Sequence, residues 1–221
     1  MVTLNTARIP KARFYHPQRN LPGRSSGHTA EGRFTNAFIR AYVAQVERIH
    51  SGSARCRVAL AREIPVNGYG IADIVSVAWD DRKFPGKLFA TADGFIELAA
   101  PMIRSFEVKL SDWRTGMLQA HRYRFYSNAG ILVLPKEQLR LARRFLHTFK
   151  TIRVGLWGFD PETDRILTIY TPRPAKPRDP RYAREAIRRV QNASKALPFS
   201  QTHSKHSSKT EDIRRRLPAL V

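Results

Sequence analysis

Cysteine is nearly absent from this chain: Cys56 is the only one among 221 residues. A single thiol closes no internal disulfide and has no second sulfur at zinc-ligand spacing, so a disulfide scaffold and a cysteine-bound zinc site are both excluded. Long apolar runs are lacking too, and none approaches the ~18 residues that a membrane-spanning helix needs. The first thirty residues carry no apolar stretch of the kind that directs secretion. Together these absences predict a reduced, cytoplasmic protein with no membrane partner. Acids are scarce relative to bases: 18 Asp and Glu stand against 39 Lys and Arg, giving a net charge of +21. A field of that sign favours polyanions, of which nucleic acid is the commonest, although a ribosomal or membrane-surface protein shares the same charge.

Three segments are expected. Residues 1–30 contain Arg8, Lys11, Arg13, Arg19 and Arg24, no acid, and Pro10, Pro17, Pro22, Gly23 and Gly27, which interrupt any periodicity. They read as a flexible basic arm. Residues 31–171 carry the packing signal, and residues 172–221 read as a proline-rich spacer followed by a basic, disordered tail, with a basic helix near Tyr182 to Lys195.

Within the middle segment Phe34, Phe38, Ile39, Tyr42, Val43, Val46 and Ile49 recur at three- and four-residue steps, which predicts an amphipathic helix ended by Ser51-Gly52. Arg57 to Ile64 and Ile71 to Trp79 read as strands around a turn at Pro65 and Asn67-Gly68-Tyr69-Gly70. After a less regular stretch, Ile103 to Leu110 is a strand and Trp113 to Tyr126 a helix. Ala129 to Leu134 (AGILVL) is a strand apolar on both faces. Strand, helix and buried strand in succession predict a parallel βαβ unit. A helix over Lys136 to Phe149 and a hairpin of Ile152 to Phe159 with Arg165 to Tyr170 complete an α/β fold.

Residues two apart on a strand share a face, so Glu107 and Lys109 point one way while Phe106, Val108 and Leu110 point the other. That pair alone could be a plain ion pair. Asp73, however, lies among apolar neighbours on another core strand, and buried charges are rarely left without a partner or a metal. Two acids converging from adjacent strands repel, and a hard divalent cation relieves that repulsion.

An acid on one strand, E-x-K on the next and Q-x-x-x-Y on the following helix resemble the PD-(D/E)XK nuclease superfamily, the restriction-endonuclease-like fold. The pieces here are Ile71-Ala72-Asp73, Glu107-Val108-Lys109 and Gln119-Ala-His-Arg-Tyr123. The run EVKLSDWRTGMLQAHRYRFYSNAGILVLP is the most specific stretch, and it is similar to bacterial and phage members and to the Holliday-junction resolvase and exonuclease branches. The resemblance covers about Glu31 to Pro135. It departs from the family where Ala72 replaces the proline of the name, and where the long interval between Asp73 and Glu107 requires an inserted hairpin around Lys83 to Leu98.

The resemblance implies a mixed central sheet flanked by helices and a Mg²⁺-dependent deoxyribonuclease, with Mn²⁺ as a substitute metal. Asp73, Glu107 and the Val108 carbonyl would hold the metal. Lys109 would orient and help deprotonate water, with Gln119 and Glu63 as further catalytic residues. Glu31 and Glu47 on the first helix are weaker claimants to the same role. Arg114, Arg122 and Tyr123 would contact nucleic acid, and Gln119, Arg122, Tyr123 and Tyr126 are expected on one helix face. DNA is the expected partner with RNA left open, and a homodimer would allow both strands to be cut. The competing reading is a non-catalytic nucleic-acid-binding protein that uses the same fold and basic tails.

Overall fold

The computed structural model describes residues 29–49, 56–80 and 101–195. The basic arm up to residue 28, the expected insertion around Lys83 to Leu98 and the chain after residue 195 lie outside the described residues. Six strands form one mixed sheet in sequence order: β1 (Cys56–Val66), β2 (Gly70–Asp80), β3 (Met102–Val108), β4 (Ala129–Pro135), β5 (Val154–Asp160) and β6 (Arg165–Tyr170). β1, β2 and β3 pair antiparallel, β3, β4 and β5 parallel, and β5 and β6 antiparallel. The turn between β1 and β2 uses Gly68 at φ +79° and Gly70 at φ +90°, a region that costs other residues a Cβ clash.

Helices cover both faces. α1 (Ala30–Ile49) lays Phe34, Phe38, Ile39 and Tyr42 on one side, against Leu60, Ile74, Phe106, Val108, Ile131 and Val133. On the other side α2 (Trp113–Arg122) is the crossover from β3 to β4, and α3 (Lys136–Arg143) with α4 (Leu146–Ile152) is the crossover from β4 to β5. These three helices pack over Leu132, Leu134, Val154 and Leu156. β4 is therefore apolar on both faces because both faces are covered, as its unbroken AGILVL run predicts. No described helix is long and apolar enough to cross a membrane.

The predicted elements differ from the structure in four places. The helix expected over Trp113 to Tyr126 ends at Arg122 and tightens into a 3-10 turn over Tyr123–Phe125. The helix expected over Lys136 to Phe149 is two helices, broken where Phe145 leaves helical geometry at φ −105°, ψ 20°. Ile152, expected in a strand, ends α4, and Arg153 closes that helix at φ +58°. The largest correction concerns residues 172–195. The helix expected near Tyr182 to Lys195 is present as Pro180–Lys195, but it and the proline-rich stretch before it are packed on the domain and complete the second face.

Residues 171–179 run as a strap held by backbone bonds: Ala175 N–H donates to Asn128 O at 3.1 Å, Arg178 N–H to Arg124 O at 3.2 Å and Asp179 N–H to Phe125 O at 2.9 Å. α5 (Pro180–Lys195) then buries Ala183, Ala186, Ile187 and Val190 against Ala61, Val75, Val77 and Ile103. Replacing Ile187, 2% exposed, by alanine is expected to destabilise the whole domain by about 2–5 kcal/mol. Chemical denaturation measures this, and an unchanged midpoint would show α5 to be dispensable.

Candidate active site

Alternation along β3 turns Phe106 and Val108 toward α1 and Glu107 toward α2. β2 is paired with β3 as far as Ile74 and Phe106. One step beyond, where the ladder stops, Asp73 Oδ2 accepts the Val108 N–H at 2.7 Å. The carboxylate thus takes the place of a backbone acceptor where the strands part. The N–H and C=O of a strand residue leave the same edge, so the Val108 carbonyl also opens toward Asp73.

Lys109 follows β3 directly, and its Nζ lies 2.8 Å from Glu107 Oε1 and 3.6 Å from Oε1 of Glu31, in the first turn of α1. Asp112 starts α2 three residues later by accepting the Thr115 N–H at 3.2 Å. The first turns of α2 therefore lie over Glu107 and Lys109. Gly116 makes this approach feasible, since a Cβ there would stand 2.7 Å from Lys109 Cγ and 2.6 Å from Leu132 Cδ1.

Further along this segment the Tyr123 hydroxyl meets two acceptors, Glu107 Oε2 and the Ile71 carbonyl, the latter at 2.8 Å. A hydroxyl carries one proton. The phenol is the donor to both, so its proton is shared between the Glu107 carboxylate and the Ile71 carbonyl, and the ring is held between β2 and β3. Burial raises Glu107 above the usual carboxylate range despite its bonds to Lys109 and Tyr123. Burial, followed by the charge of Glu107, pushes Asp73 up to about 7 against the pull of the Val108 N–H and Lys109. Burial also works against the charge on Lys109, but the bond to Glu107 and the charges of Glu107, Asp73 and Glu31 outweigh it and raise the amine. The cleft thus sets the acids Glu31, Glu63, Asp73 and Glu107 against two cations, Lys109 and Arg62, and an excess of acids is the condition under which a divalent cation binds well.

Asp73, Glu107, Lys109, Gln119, Glu63 and Glu31 all line one cleft of about 270 Å³ between β1, β2 and the start of α1. Gln119 presents a buried Oε1 with no partner among the described residues. Glu63 faces Asp73 across the hairpin, between the paired residues Arg62 with Ile74 and Ile64 with Ala72. Its backbone is left-handed at φ +50°, which costs a non-glycine residue roughly 1–3 kcal/mol. Strand alternation breaks at this point: Ala61 and Ile64, three residues apart, enter the same hydrophobic cluster, as do Ala72 and Val75. The Glu47 side chain lies outside the described residues.

The nucleic-acid contacts expected on α2 are not in this cleft. Tyr123 is 1% exposed and spends its hydroxyl on Glu107 and Ile71, so it supports the acid rather than touching a polymer. Arg122 does not share the face of Tyr123 and Tyr126. It is exposed, while both tyrosines turn inward as the chain tightens into a 3-10 turn over Tyr123–Phe125. Arg114 is exposed outside the cleft, its guanidinium 4.5 Å from the Trp113 ring centre.

Arg62 is a cleft residue that the sequence reading missed. It is 3% exposed, and its Nη1 donates to Asn36 Oδ1 on α1. Burial lowers it, while Glu63 and Asp73 act in the opposite sense. An arginine amid RVALAREI gives no signal of burial, because the polar partner lies 26 residues away on another element.

Asp73, Glu107 and the Val108 carbonyl could hold a cation. Among the described residues no three His, Cys, Asp or Glu side chains form a closed cage. One or two carboxylates with open positions suit Mg²⁺, which retains waters and substrate oxygens. Compared with protein-family models, curated proteins and solved structures, the chain matches none.

Proposed function

We propose that this cleft is the catalytic centre of a metal-dependent nuclease with a restriction-endonuclease-like core, hydrolysing phosphodiester bonds in DNA. The observation that carries the reading is the convergence of Asp73 and Glu107 from adjacent strands with the Lys109 amine 2.8 Å from the second acid. Bound Mg²⁺ would supply Lewis-acid stabilisation and lower the pKa of water. Asp73 and Glu107 would bind it and give up their protons in doing so. Lys109, released in part from Glu107, would hold the attacking water by hydrogen bonding and place positive charge beside the developing phosphorane. Tyr123 fixes the Glu107 rotamer, and Gly116 leaves room for the lysine stem. The net charge of +21 supplies the attraction for a polyanionic substrate.

One observation favours the non-catalytic alternative: both oxygens of Glu107 already have protein partners, as in a structural ion pair. One experiment separates the two. The full chain is incubated with labelled single-stranded, duplex and branched DNA, and with RNA, in Mg²⁺, Mn²⁺ or EDTA. Cleavage of DNA that requires the metal and disappears in EDTA is the expected result. Binding without cleavage of any substrate would leave the alternative standing.

A further inference from the structure

A second concentration of charge lies outside the cleft, where three arginines from separate elements meet. The Arg124 side chain, in the 3-10 turn after α2, donates from Nη1 to the Ile152 carbonyl at 2.8 Å. His121 Nδ1 contacts the same carbonyl at 3.0 Å. Arg153, the next residue, closes α4 in the left-handed region at φ +58°, where glycine or asparagine fits at less cost. Its Nη2 reaches the Arg173 carbonyl at 3.4 Å. Arg178 is fixed by the strap, its N–H bonded to Arg124 O, and its guanidinium lies 5.2 Å from the Phe125 ring centre. Tyr69 stacks on Phe125 at 4.4 Å and braces that ring.

Among the described residues no carboxylate balances this group. The one acid of the strap, Asp179, is committed to α5, accepting from Arg181 N–H at 2.9 Å and Nη2 at 2.8 Å. Burial, then the charges of Arg178 and Arg153, depress Arg124, and the Tyr170 phenol rather than a carboxylate acts against them. Like charges held together by backbone bonds and an aromatic brace repel one another, and an anion between them relieves the repulsion.

We propose that Arg124, Arg153 and Arg178 form a binding site for a backbone phosphate of nucleic acid, separate from the cleft. Arginine suits a phosphate because its planar fork donates two parallel hydrogen bonds. The Phe125 ring takes up no N–H of Arg178 by conventional hydrogen bonding, so the guanidinium keeps donors for the anion. Arg124 and Arg153 each spend one terminal nitrogen on a carbonyl and keep others. A backbone contact of this kind positions the polymer and carries no sequence information.

The inference rests on the nucleic-acid part of the proposed function and is independent of cleavage. Affinity of the full chain for a labelled duplex is measured in EDTA over a range of salt, for wild type, Arg153→Gln, Arg178→Gln and the double variant. Each substitution is expected to weaken binding several-fold and to flatten the slope of log affinity against log salt by about 0.9 for each phosphate no longer neutralised. Arg140→Gln, at an exposed position on α3, should leave the slope unchanged. Arg153→Lys and Arg178→Lys keep the charge and should keep the slope.

The proposal is overturned if the glutamine variants match wild type or behave no differently from Arg140→Gln. A flattened slope in the lysine variants would also overturn it, since charge would then not be the cause. A chain that never cuts DNA yet shows the predicted slopes keeps this site and loses the nuclease reading. A chain that cuts with unchanged slopes does the reverse.

Discussion

Alanine in place of Lys109 is expected to slow phosphodiester cleavage by about 10²–10⁴-fold while leaving DNA affinity in EDTA within about twofold. The residue is one positive charge among 39, so its removal barely alters the long-range attraction for DNA. Within the cleft the effect is severe. The amine is the cation bonded to Glu107, it lies near Glu31, and it acts electrostatically on Asp73. Without it both acids retain their protons to higher pH, and no ammonium remains to hold water or meet the charge developing on phosphate. Single-turnover cleavage at saturating metal separates the chemical step from binding. A variant that cuts as fast as wild type would remove Lys109 from the chemistry.

Asparagine in place of Asp73 should abolish cleavage and, without metal, make the protein more stable at alkaline pH. The sign follows from where the proton resides. An unfolded aspartate titrates near 3.8, whereas folding pushes Asp73 up to about 7, chiefly by burial and then by Glu107. Between those values the folded state holds a proton that the unfolded state has released. The associated stability is fully present below about pH 4 and is lost as pH rises through about 7. Wild type should therefore lose stability on the order of a few kcal/mol between pH 5 and pH 8. Glu107, raised by the same burial, adds to the loss.

Asparagine matches the protonated acid in shape and still accepts the Val108 N–H. The variant should melt closest to wild type at pH 4 and above it at pH 8. Mg²⁺ should restore wild type at pH 8 and leave the variant unchanged, because a ligand raises stability only where it binds. Thermal unfolding at both pH values, with and without Mg²⁺, is the test. A wild-type minus variant difference that does not vary with pH would show that Asp73 carries an ordinary pKa.

The parts of this fold legible in the sequence are those where one residue pattern has one physical solution. AGILVL is apolar at every position, and a sheet covered on both faces is the arrangement that buries it. Glu107 and Lys109 share a face by strand geometry alone, and the structure places them 2.8 Å apart. Asp73 stood out as a charge in an apolar strand, and it joins them in the cleft.

What could not be read depends on distant partners. The helix near Tyr182 to Lys195 is legible, but its docking is not: Ala183, Ala186, Ile187 and Val190 are small or few among five arginines from 178 to 189, so composition gives a solvated helix rather than a buried one. The strap that docks it is held by backbone bonds to Asn128, Arg124 and Phe125, which no side-chain pattern announces. Tyr123 was grouped with Arg122 by spacing along an ideal helix. The tightening at Tyr123 separates them, so the tyrosine serves Glu107 and the arginine faces solvent. The left-handed backbone of Glu63 and the buried guanidinium of Arg62 belong to the bend in the β1–β2 hairpin, a tertiary feature with no local sequence signal.

The claim that Asp73 and Glu107 share a divalent cation can be tested most directly by anomalous diffraction from crystals grown with Mn²⁺. The account predicts a peak in the cleft within roughly 2.5 Å of a carboxylate oxygen of each residue, absent in Asp73→Asn crystals prepared identically. A peak confined to another acidic group, such as Asp160 with Glu162, or none at all at millimolar Mn²⁺, would contradict it.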